Sequence, residues 1–135
     1  MINVLSKLNE LITTDEHVQS HFDVPVAERI AFGAAPEAFA MPYIILGTQS
    51  NVQEDPGIND RMIYHVDVYV DRGDIVLADW IVKSIEKALH FKRLQAIGIG
   101  IFRESKVVIP DNPGIVHIHM KFLVRHFRTD LFSHI

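Results

Sequence analysis

Between residues 61 and 70 the chain reads Arg-Met-Ile-Tyr-His-Val-Asp-Val-Tyr-Val, and this run constrains the fold more than any other. Met62, Tyr64, Val66, Val68 and Val70 fall on one side of an extended backbone, with Arg61, His65 and Asp67 on the other. That is the period-two pattern of a strand with one buried face. The stretch predicts a central strand. Asp71, Arg72, Gly73 and Asp74 end the run, and Asp74 is placed to accept from the first free amides of a helix. The helix expected from Asp74 to about His90 repeats Leu77, Ala78, Ile81, Val82, Ile85, Ala88 and Leu89 on one face. Trp80, Lys83, Glu86 and Lys87 lie off that stripe. Trp is enriched at protein interfaces and also covers core edges, so Trp80 has two open readings.

A strand and a helix of this kind need further elements to bury their apolar faces. Residues 2 to 22 predict a first helix through Val4, Leu5, Leu8, Leu11, Ile12 and Val18, with a break at Thr13, Thr14 and Asp15. Residues 24 to 30 fit a short edge strand begun by Pro25. Residues 32 to 42, with Pro36 and Pro42, read as a loop carrying Phe32, Phe39 and Met41. Tyr43 to Gly47 reads as a strand, and residues 50 to 60 as a long connection through Pro56 and Gly57. Residues 97 to 102 and 107 to 109 are extended, with Pro110, Pro113 and Gly114 in a turn. A closing strand from Ile115 to about Phe127 sets Val116, Ile118, Met120, Phe122 and Val124 against His117, His119, Lys121 and Arg125.

The expectation is therefore one α+β domain over residues 1–135, with a mainly antiparallel sheet of four to five strands and two principal helices. Residues 128–135 form a possible arm. A length of 135 residues with 48% hydrophobic and 22% charged content supports a single packed core. No apolar run approaches the roughly 20 residues that span a bilayer, and the first residues lack a basic segment followed by a long apolar one. The absence of cysteine removes disulfides and thiol chemistry. A formal net charge of −4 is opposite to the basic excess of a dedicated nucleic-acid binder.

Few polar residues point to chemistry. His117 and His119 alternate on one strand, so both imidazoles share a face, and His65 is able to join them from another strand. A metal centre needs more ligands and supporting groups than the pattern names, and solvated or interface histidines explain it more simply. Asp67 and His65 form a conceivable base and orienter, without a nucleophile beside them. The Gly98 and Gly100 pair lacks the third glycine of a dinucleotide fingerprint. No catalytic, cofactor-binding or metal residues are assigned.

One combination is more specific than its parts. It comprises a leading helix, Glu28-Arg29-Ile30, Ala35-Pro36, Met41-Pro42-Tyr43-Ile44-Ile45, the run from Asp60 to Val70, the amphipathic helix and the long closing strand. In this order the chain resembles the tail-completion family of long-tailed bacteriophages, which includes tail-to-head joining and tail-terminator proteins. The resemblance covers nearly the whole chain and rests on no catalytic motif. It implies a structural subunit that caps the finished tail and joins it to the head connector, as a ring, expected to be a hexamer, around the DNA channel. Implied partners are the tail tube protein, the head-completion or connector protein and further copies of the chain. DNA passes only as transient cargo, and no membrane or cofactor is involved. The implied location is the head-proximal end of the virion tail, with host cytoplasm during assembly. Interface candidates are Phe32, Phe39, Met41, Asn51, Asp55, Asn59, Trp80 and Phe132. His117, His119, Lys121 and Arg125 are candidates for a lumen-facing or solvated sheet face. The rival readings are a small metal- or ligand-dependent enzyme using His65, His117 and His119, and a cellular ring-forming adaptor.

Overall fold

The computed structural model describes residues 4–33, 40–55, 59–90, 93–94, 99–110 and 113–127. They form an α+β structure in which six strands make one mixed sheet in the order β1-β2-β3-β6-β5-β4. The strands are β1 (Ile30–Phe32), β2 (Tyr43–Asp55), β3 (Asn59–Asp71), β4 (Arg93–Leu94), β5 (Ile99–Ile109) and β6 (Ile115–Phe127). Three helices are α1 (Val4–Thr13), α2 (Glu16–Gln19) and α3 (Ile75–Leu89). Of these, α1 and α3 are the two long ones.

The expected central strand is β3, held antiparallel between β2 and β6. Its apolar side, Tyr64, Val66, Val68 and Val70, meets Ile44 and Leu46 of β2, Met120, Phe122 and Val124 of β6 and the helix stripe Ala78, Ile81, Val82 and Ile85 in one core. Alternation in the strands and helical spacing in α3 place these residues on facing surfaces, where each fully buried aliphatic contributes roughly 1.5–3 kcal/mol. From α1 come Leu8 and Ile12, and Val18 and Phe22 close the same core from the α2 segment. The helices lie on this side of the sheet.

Several expectations need correction. The first helix breaks as anticipated, because Asp15 Oδ1 accepts from the His17 and Val18 amides at 2.9 and 3.0 Å and starts α2. The segment after Pro25 is a 3-10 turn, Val26–Arg29, and only Ile30–Phe32 is strand. That strand runs parallel to β2, so the sheet is mixed, with six strands where four to five were expected. The connection expected over residues 50–60 is mostly ladder, with Asn51, Val52, Gln53 and Asp55 paired to Met62, Arg61, Asp60 and Asn59. Polar side chains concealed it, since hairpin ends tolerate them where no second layer covers the sheet. β5 is continuous from Ile99 to Ile109, with a register shift between Arg103 and Ser105 absorbing the polar interruption. Asp74 makes no side-chain cap bond to α3; Asp71 Oδ1 instead accepts from the Gly73 amide at 3.1 Å, shaping the turn that aims the helix. Arg72 fastens that turn to the β5–β6 connection through the Gly114 and Pro113 carbonyls, at 3.1 and 2.9 Å.

Candidate functional site

With the helices packed on one side, the other side of the sheet has no covering layer among the described residues. Register decides what gathers there. Asp67 lies opposite His119, Tyr69 opposite His117 and His65 opposite Lys121. Asp67 Oδ1 accepts from His117 Nε2 and from His119 Nδ1, each at 2.7 Å. His119 Nε2 and His65 Nδ1 are 3.1 Å apart, with their rings stacked at 4.9 Å. Tyr43, Tyr69 and His117 form a second stack across three strands, with centroid spacings of 4.8 and 4.2 Å.

The four polar groups thus form one chain, from His117 through Asp67 and His119 to His65. Since Nδ1 of His119 donates to Asp67, its Nε2 in the neutral ring is an acceptor, and His65 Nδ1 must donate to it. A proton added at His65 Nε2 leaves these bonds intact.

This geometry bears first on the reading of solvated or interface histidines. His117 is buried, and it and His119 are tied to a carboxylate that the sequence pairs with neither. It also bears on the metal reading. The three imidazoles do come together, but His117 and His119 each turn one nitrogen to the same Asp67 oxygen, and His119 and His65 turn one to each other. No group of three or more potential ligands arranged for a metal ion occurs among the described residues. Lys121 and Arg125 share this face further along β6, and Arg125 is exposed.

Burial and the neighbouring His119 and Lys121 charges hold His65 below the usual imidazole range, against the opposing pull of Asp67. With its folded pKa below the unfolded value, the unfolded state binds more protons across that interval. Stability contributed by neutral His65 is therefore complete at pH above about 6.5, and is lost as pH falls through that value toward the folded pKa. Urea midpoints measured between pH 8 and 5 are expected to fall in the wild type and to fall less in His65→Gln. An equal or steeper fall in the variant contradicts this assignment.

Of the interface candidates, Phe32, Met41 and Trp80 are exposed. Asn51, Asp55 and Asn59 lie on the paired ends of β2 and β3. Phe39, Phe132 and the arm of residues 128–135 lie outside the described residues. Two further exposed apolar pairs escaped sequence reasoning: Ile75 with Val76 at the start of α3, and Val107 with Val108 near the end of β5. Their only sequence signal is position, at a helix start and on a strand flanked by lysine and proline.

The described residues define an α+β domain with a mixed six-stranded sheet, helices on one side and a polar cluster on the other. Solved structures share this fold. A chain from the virion of a native gene transfer agent particle superposes with a TM-score of 0.71 over 89% of this chain and 91% of that one, at 14% identity. The bacteriophage SPP1 gp17 protein aligns over 93% of this chain and 88% of its own at 20% identity, with a TM-score of 0.49. No protein-family model and no curated protein sequence matches the chain.

Proposed function

We propose that this chain is a structural, non-enzymatic tail-completion subunit of a long-tailed phage or a related particle. It caps the finished tail tube and joins it to the head connector. The observation that carries this reading is the fold shared, over nine-tenths of both chains, with a component of a gene transfer agent virion, combined with the motif order described above. In the proposed assembly six copies form a ring at the head-proximal end of the tail, after a cytoplasmic stage in the host cell. The open sheet face then turns toward the channel, where Lys121 and Arg125 meet DNA phosphates in transit without reading sequence. The tail tube and connector proteins contact the two ends of the ring, with Phe32 and Met41 among the contacting residues.

Mixing the purified chain with tails that lack this subunit, then with filled heads, tests the reading. Restored joining is expected. Tails that remain unjoined at every protein concentration, with the chain demonstrably folded, overturn it.

A further inference from the structure

A cleft of about 410 Å³ opens on the helix side of the molecule, between α2 and α3. His17, His21, Trp80, Lys83, Ser84 and Lys87 line it, and no carboxylate does. Trp80, Lys83, Ser84 and Lys87 recur at helical spacing and so form one stripe of α3. His21 Nε2 is 3.0 Å from Ser84 Oγ, and its ring stacks on Trp80 at 6.5 Å, so α2 holds the wall opposite the stripe. Lys83 pairs with Asp79 just outside, at 3.1 Å with both partners exposed, whereas Lys87 makes no ion pair among the described residues. Trp80 is 56% exposed and Val76, one turn earlier, 65%. A basic floor with an apolar rim is therefore presented to solvent by a chain whose net charge is −4.

We infer that this cleft receives the acidic end of the β2–β3 hairpin from a second copy of the chain. The residues from Glu54 to Asp60 contain three carboxylates, Glu54, Asp55 and Asp60, and the apolar Ile58. Their composition complements two lysines, two histidines and a tryptophan. The contact is impossible within one copy. The Arg103 amide bonds His90 Nδ1 at the end of α3, Arg103 pairs with Phe122, and Phe122 pairs with Tyr64. The helix therefore ends level with Tyr64, and the hairpin end at Asn59 lies five residues further, about 17 Å beyond it. Because hairpin end and cleft are different surfaces, each copy offers one and accepts the other, which is the heterologous contact that closes a ring. An acidic peptide is favoured over nucleic acid because the complementary segment is present in the chain itself. This inference rests on the ring reading above and specifies how neighbouring copies engage.

The single tryptophan makes the cleft directly observable. A synthetic peptide of residues 51–60 is expected to change Trp80 fluorescence saturably. The response should weaken about tenfold in Lys83→Glu/Lys87→Glu, and vanish for a peptide with Glu54, Asp55 and Asp60 replaced by their amides. In the full chain, Lys83→Glu/Lys87→Glu and Glu54→Lys/Asp55→Lys should each reduce rings on tails, while combining the four substitutions restores them. Circular dichroism confirms folding of each variant. Unaltered fluorescence with the peptide, equal binding of the amide peptide, or a response only to single-stranded DNA overturns the inference. So do rings that form equally in all variants, and that outcome leaves the tail-completion reading standing. A wild-type chain that never assembles on tails removes that reading instead.

Discussion

Phe122→Ala is expected to remove about 3–5 kcal/mol of stability, the largest effect of any single truncation considered. Phe122 is fully buried at the middle of β6, between Tyr64 of β3 and Arg103 of β5 in the pairing. Truncation leaves a cavity that the surrounding strands cannot collapse into without breaking ladder bonds. Against a typical total of roughly 5–15 kcal/mol, the variant should lose roughly 10–20 °C in melting temperature. Urea denaturation should show a lower midpoint at unchanged slope, since the surface exposed on unfolding is nearly the same. A loss below about 1 kcal/mol would place Phe122 outside the core.

Asp67→Ala should cost about 2–3 kcal/mol at neutral pH, because it strips two imidazole N–H groups of their shared acceptor. His117 has a side chain only 10% exposed, and Asp67 and His119 are each 19% exposed, so water replaces the carboxylate poorly. Asp67→Asn is the informative companion. Its amide oxygen retains two lone pairs at the same place and loses only the charge assistance, so its cost should be about half as large. A double-mutant cycle of Asp67→Ala with His117→Ala should yield a coupling of about 1–2 kcal/mol. Additive losses would mean that the 2.7 Å contact carries no net energy.

How much of this could be read from the chain differs by element. β3, β6 and α3 were legible because burial on one side imposes a period on the residues. Phe122 and the α3 stripe were likewise visible. The strand content of residues 51–55 and the short β4 were not, since neither carries an apolar alternation to announce it. The parallel β1 begins later than the expected edge strand because Pro25 precedes a 3-10 turn and does not open a strand.

The cluster shows a sharper limit. His117 and His119 were visibly on one face, as were His65 and Asp67. That Asp67 stands opposite His119 depends on the register of strands 52 positions apart, which turn lengths and core packing set together. Nor does Trp80 disclose its partner: the His21 ring reaches it only because Asp15 restarts the chain as α2 across the groove from α3. The interface candidates Phe39 and Phe132, which rest on the expected mobility of a loop and an arm together with apolar character, fall outside the described residues.

In the proposed function, copies of this chain close the head-proximal end of a tail. The most direct measurement is the number and position of copies on isolated tails after reconstitution, read from their mass and from electron micrographs. The account predicts six copies in a single ring at one end. Copies spread along the tube, or none bound at any concentration, would contradict it.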